Sequence, residues 1–229
     1  MNDSHFAVER RLMVAGTLAG RGVSDLRVLE AMSAVPRHVF VPETLVEFAY
    51  ADGPLSIGNG QTISQPYVVA LMCQALELRP TDRILEVGTG SGYAAAVLSM
   101  LGAQVHTVER HERLAMTAQH NLRALGYGTV HVHLADGTLG LPLEGPFNAI
   151  AVAAAGARVP DALLRQLTIG GRLVMPVGDQ YAQTLMRLTR TPSGFTRERL
   201  IEVRFVPLVA GMGEVMTPDA RPQQPSFAA

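Results

Sequence analysis

Apolar side chains recur at helical spacing over residues 6–20, which predicts an amphipathic helix near the N-terminus. A second helix is predicted from Ser24, a favourable cap with Asp25 in the first turn, through Leu26, Val28, Leu29 and Met32, until Pro36 stops it. Residues 37–65 then lose periodicity and fill with prolines, glycines and polar side chains, the profile of a functional loop. From Pro66 a regular rhythm begins. A helix to about Leu78 precedes the short apolar strand Arg83–Val87. Helices near 94–101, 112–125 and 160–167 then alternate with strands near 104–108, 129–134, 147–153 and 171–177. This alternation predicts a parallel sheet with helices on both faces. Thr184–Thr189 and Leu200–Phe205, joined through Thr191-Pro192-Ser193-Gly194, add an antiparallel hairpin and bring the count to seven strands, a doubly wound α/β fold. The chain divides accordingly into a helix-and-loop segment over 1–65, a main domain over 66–211 and a proline-rich tail over 212–229.

Composition narrows the chemistry. With 48% hydrophobic and 17% charged residues, the 229-residue chain has ample material for a core. Nineteen basic against twenty acidic side chains leave a formal charge of −1, which argues against a chain-wide electrostatic grip on nucleic acid or anionic lipid. All of the basic residues are arginine. Without lysine there is no pyridoxal Schiff base, no amine nucleophile and no Walker-loop lysine. The single Cys73, in the apolar run Val68–Cys73, is expected as a buried core thiol. No stretch reaches the roughly 18 apolar residues of a membrane span, and Glu9, Arg10 and Arg11 interrupt any N-terminal secretory signal, so a cytoplasmic setting is expected.

The informative motif is Glu86-Val87-Gly88-Thr89-Gly90-Ser91-Gly92, placed at a strand-to-helix turn. Glycines there let the backbone approach a ligand, and the next helix presents its N-terminal amides to it. The spacing is G-x-G-x-G, not the dinucleotide G-x-G-x-x-G. Glu109 ends the second strand of the domain, where its carboxylate is placed to accept both hydroxyls of a ribose. Asp136, after the third strand, is placed to accept from an adenine amino group. Three such features at successive strand ends predict a nucleoside site; the glycine pattern favours S-adenosylmethionine over NAD without excluding it. His131 and His133, two apart on a strand, lack a third ligand at a sensible spacing, so no metal is assigned. Arg37 is expected to pair with a carboxylate in a structural role.

The sequence resembles the protein-L-isoaspartate O-methyltransferases over about residues 21–208. The strongest block is Gly58-Asn59-Gly60-Gln61-Thr62-Ile63-Ser64-Gln65-Pro66-Tyr67. It is accompanied in order by Val35-Pro36-Arg37 with Phe40-Val41-Pro42, Leu85–Tyr93, Gln166-Leu167 with Gly170–Leu173, and Phe205-Val206-Pro207-Leu208. The resemblance implies methyl transfer from S-adenosylmethionine, leaving S-adenosylhomocysteine, to the free α-carboxylate of isoaspartyl residues in damaged proteins or peptides, followed by collapse to a succinimide. It implies Gln61, Glu86, Gly88, Thr89, Gly90, Ser91, Gly92, Glu109, Arg110, Asp136 and Gly137 as the cofactor set. Asn148, Ala94 and Ala135 depart from residues common at those positions.

A carboxylate is ionised at neutral pH, so its methylation needs no general base. Positioning in a water-poor pocket suffices. Ser64, with Thr62 nearby, is the expected catalytic donor to the substrate carboxylate at the start of the helix from Pro66, whose free amides also favour an anion; the alternative is that Ser64 only caps that helix. Ile63 and Val206-Pro207-Leu208 are the expected groove for the peptide backbone, or else a packed edge of the hairpin. The competing functions are an O-methyltransferase of the same fold with a dedicated peptide or small-molecule acceptor, an NAD-dependent oxidoreductase, and a non-catalytic nucleoside-binding protein. Nothing in the sequence fixes the oligomeric state, and a monomer is the default.

Overall fold

The computed structural model describes residues 3–213. Helix α1 (Asp3–Leu12) continues into a wider π-helical segment, Met13–Leu18, and a 3-10 turn, Ala19–Arg21. Helix α2 (Leu26–Ala34) is capped by Asp25, whose carboxylate accepts the Arg27 N–H at 2.9 Å; Ser24 stands one residue outside the predicted capping role. The 37–65 stretch is more ordered than its composition suggests. It holds 3-10 turns at Arg37–Phe40 and Glu43–Phe48, then a small antiparallel hairpin of β1 (Leu55–Gly58) and β2 (Gln61–Ile63). Segments of three to six residues are too short to show a period in sequence.

The main domain follows the predicted alternation: α3 (Pro66–Leu76), β3 (Arg83–Val87), α4 (Tyr93–Ser99), β4 (Gln104–Glu109), α5 (Glu112–Ala124), β5 (Val130–Leu134), β6 (Phe147–Val152), α6 (Asp161–Arg165), β7 (Leu167–Gly178), β8 (Gln183–Thr191) and β9 (Gly194–Val203). The sheet order is β5-β4-β3-β6-β7-β8-β9, parallel through β7 and antiparallel from β7 to β9. Strand β9 starts six residues before the predicted Leu200, because it is an edge strand whose Thr196–Arg199 are exposed and show no alternation. The predicted tail, from residue 214 on, lies outside the described residues.

Period-two alternation sorts β3 between two cores: Ile84 joins the cluster shared with α1–α5, whereas Leu85 and Val87 join the cluster beneath α6. N-terminal residues such as Phe6, Leu18 and Met32 belong to the first cluster, so the N-terminal segment shares its core with the sheet. Strand order reverses between β3 and β6, and a ligand crevice is expected at their C-terminal ends.

Candidate active site

At that switch point lies a cleft of about 330 Å³. One wall is the turn after β3. Gly88 and Gly92 adopt φ of +96° and +91°, which side chains rarely tolerate, and this lets the turn bend before α4. Gly137 is required for room: a Cβ there would come within 2.5 Å of Val87. Gly88, Thr89, Gly90, Ser91, Glu109, Arg110 and Gly137 all line the cleft.

Glu109 ends β4 and lines the cleft as read in the sequence, but the carboxylates are more heavily committed than that reading allowed. Glu109 is 5% exposed and accepts N–H groups from Gly90 (2.9 Å), Arg110 (3.0 Å) and His111 (3.0 Å). A carboxylate offers about four acceptor sites, so about one stays open, enough for one ribose hydroxyl rather than two. Asp136 is turned away: it accepts the Thr138 N–H and hydroxyl and the Gly211 N–H. Its burial would raise the carboxyl's pKa, but these hydrogen bonds outweigh that and hold it below the usual range. Gly137, not the Asp136 side chain, is what this stretch shows to the cleft. Glu86 lies beneath the turn, lining a cavity of about 20 Å³ with Ser64 and Cys73, and accepts the Thr107 hydroxyl at 2.5 Å. Burial pushes its carboxyl up to about 8, against the pull of Thr107 and with a further push from Glu109, so at neutral pH it is largely protonated. Gly92 bends the chain behind the cleft and does not line it.

The facing wall is assembled from distant segments: Gly60–Ser64, Ala153-Ala154 and Val206–Val209. Gln61 lines it, its amide donating to Asn59 O at 3.2 Å. Thr62 is exposed, Ile63 is buried and Ser64 is half-buried. Gln65, not Ser64, is the residue that precedes α3, and among the described residues no hydrogen bond is formed by the Ser64 hydroxyl. The capping role for Ser64 is thereby removed. The first α3 amides already face an anion, because Asp52 accepts the Tyr67 N–H at 3.3 Å. Val206-Pro207-Leu208 bonds to the segment after β6 through Ala155 N–H to Val206 O and Leu208 N–H to Ala155 O. Buried Gln183 clamps the same segment, accepting the Phe205 N–H at 2.7 Å and donating to Phe205 O at 3.2 Å. The Gln183 clamp left no signal in the sequence, since a lone glutamine has many ordinary roles.

Several further differences bear on the site. Among the described residues Arg37 pairs with no carboxylate: it is fully buried, donates from Nε to Ala49 O at 2.8 Å and lies over the Tyr93 ring at 4.7 Å. His111, Tyr93 and Val209 line the cleft without having been expected as site residues, and His111 Nδ1 is buried there without a partner among the described residues. Of the family departures, Ala94 lines the cleft, Ala135 packs against the α6-side core, and Asn148 accepts the Arg83 N–H at 2.9 Å at the far end of the sheet. His106 joins His131 and His133, with Nδ1 3.1 Å from His133 Nε2, but no group of three or more metal-ligating side chains is in place among the described residues.

The model of the protein-L-isoaspartate(D-aspartate) O-methyltransferase family matches residues 10–213. The protein-L-isoaspartate O-methyltransferase of Roseiflexus sp. (strain RS-1) is 58% identical over 206 residues, covering 90% of this chain and 94% of its own. Protein-L-isoaspartate O-methyltransferase 1 of Rhodopseudomonas palustris (strain HaA2) is 52% identical over 224 residues, covering 96% and 91%. A solved protein-L-isoaspartate O-methyltransferase superposes with a TM-score of 0.80 at 29% identity, over 89% of this chain and 67% of that one. A Plasmodium falciparum relative solved with S-adenosyl-L-homocysteine gives 0.75 at 26% identity, over 87% and 98%. With the sheet order, the glycine turn and the 58–67 block already in place, these matches make the chain a member of the protein-L-isoaspartate(D-aspartate) O-methyltransferase family.

Proposed function

We propose that this protein methylates the free α-carboxylate of L-isoaspartyl residues in damaged proteins or peptides in the cytoplasm, and so starts their repair through a succinimide. S-adenosylmethionine, when bound, supplies a methyl group carried on a positively charged sulfur. The chain's residues fit it. The glycine turn brings backbone to the cleft, Glu109 keeps an open acceptor for a ribose hydroxyl, and His111 Nδ1 is a buried polar atom without a partner among the described residues at the same edge.

The observation that carries the reading is the Ser64 hydroxyl, half-buried in the lining of the same cleft as the glycine turn and unbonded to protein among the described residues. As a neutral donor it orients a carboxylate without neutralising it, whereas an arginine partner would quench the nucleophile. Arg110, the cationic side chain lining the cleft, has its guanidinium committed to Gly211 O and Met212 O. Thr62 flanks Ser64, and Ile63 with Val206-Pro207-Leu208 forms the groove for the peptide backbone. Residues 1–65 thus share the acceptor side with 206–209, and 66–211 furnish the donor side. The test is a methyl-transfer assay on an isoaspartyl peptide and its ordinary aspartyl twin: transfer to the first alone is expected, and equal or absent transfer to both refutes the assignment.

A further inference from the structure

Ser64 has no capping bond of its own, so something else must fix its direction. Its two flanks are fastened to one short segment. On the N-terminal side, Ile63 is paired with Leu55 in the β1–β2 ladder and is 4% exposed. On the C-terminal side, the Asp52 carboxylate reaches both Gln65 and Tyr67: Oδ2 accepts from Gln65 Nε2 at 2.8 Å and Oδ1 accepts the Tyr67 N–H at 3.3 Å. Asp52 and Leu55 are only three positions apart, so the 52–55 segment grips Ser64 from before and after.

The grip is itself braced. Arg21 donates from Nη1 to Asp52 Oδ2, and its guanidinium carbon lies 3.6 Å from the Tyr67 ring centroid. The Tyr67 hydroxyl donates to Arg21 O at 3.4 Å, and buried Arg37 holds Ala49 three residues before Asp52. An uncompensated carboxylate at the start of α3 would repel an anionic substrate nearby; the Arg21 charge offsets it. The arrangement joins the end of the N-terminal helical segment, the 50–55 loop and the first turn of α3 around a single side chain.

We propose that Asp52, braced by Arg21, is a positioning residue that acts through Ser64, holding its hydroxyl toward the substrate carboxylate. This rests on the reading of Ser64 as the carboxylate donor. A double-mutant cycle tests it, read as turnover on the isoaspartyl peptide per folded enzyme, alongside S-adenosylhomocysteine affinity by calorimetry and thermal unfolding. Asp52→Ala is expected to lower turnover about tenfold with cofactor affinity within about twofold, but to cost less than about twofold when made in Ser64→Ala. Asp52→Glu, which keeps both carboxylate oxygens and the charge that Arg21 meets, should return turnover to within about threefold of the unaltered enzyme. Three outcomes overturn the proposal: wild-type turnover in folded Asp52→Ala, an additive cycle, or an Asp52→Glu as impaired as Asp52→Ala. If Ser64→Ala alone leaves turnover unchanged, the Ser64 reading falls and this inference with it, whereas additivity on top of an impaired Ser64→Ala removes only the role of Asp52.

Discussion

The two walls of the cleft reach similar definition by different means. The donor wall is one continuous turn, Gly88–Ser91, with Glu109 from the neighbouring strand gathering three backbone amides onto a single carboxylate. Its shape is a backbone property, set by glycine geometry and by parallel strand register. The acceptor wall takes Gly60–Ser64 from one end of the domain and Val206–Val209 from the other, and side chains hold them: Asp52 on one part, Gln183 on the other. A backbone-built wall fails when its central acceptor is removed. A side-chain-built wall loosens one clamp at a time.

The largest effect is therefore expected at Glu109. Glu109→Ala orphans three amides in a nearly buried place, and hydrogen bonds to a charged group contribute about 1.5–3 kcal/mol each. Thermal and urea unfolding should show a loss of several kcal/mol, and calorimetry a weakening of S-adenosylhomocysteine binding by at least about tenfold. Retention of both would mean that the donor wall does not depend on that carboxylate.

Ser64→Ala comes next and should be the mirror case. Turnover is expected to fall about 10- to 100-fold while cofactor affinity and unfolding stay near their starting values, as for the loss of a group that orients the reacting carboxylate. A matching loss of cofactor affinity would erase the distinction between the walls.

Gln183→Ala should act more mildly still. It frees the Phe205 N–H and carbonyl, a change of about 1–2 kcal/mol, and should raise the peptide KM several-fold with cofactor affinity unaltered. An unchanged KM would return the 205–208 segment to a purely structural part of the hairpin edge.

The most gradual effect is a slope in pH. The Glu86 carboxyl has its pKa raised from 4.5 to about 8, chiefly by burial, so between those values the unfolded chain releases a proton that the folded one keeps. Stability of the cofactor-free protein should then fall as pH rises through that window, by up to about 1.4 kcal/mol per unit, and level off above it. Glu86→Gln should flatten this slope in urea unfolding from pH 5 to 8. A slope that survives the substitution belongs to other groups.

The strand–helix alternation and the sheet they form were readable because five- or six-residue apolar runs and longer amphipathic helices each carry a period. Strand β9 escaped at its start because edge positions are wet on both faces. The β1–β2 hairpin escaped because three or four residues cannot display a period. Asp136 and Glu109 were readable as important carboxylates but not as acceptors already committed to backbone amides. Those partners include Gly211, 75 residues from Asp136, and no local spacing encodes such a contact.

By itself the sequence determined the α/β class, the glycine turn with its strand-end carboxylates, and a family resemblance carried by motifs in a fixed order. These follow from local periodicity, from backbone conformations that few residues tolerate, and from long contiguous blocks. Only the tertiary structure decided which carboxylates remain open to a ligand, that Ser64 caps nothing, and that Asp52, Gln183 and Arg110 fasten segments far apart in the chain. Hydrogen-bond capacity is finite, and which donor takes each acceptor depends on distances that exist only once the chain has folded.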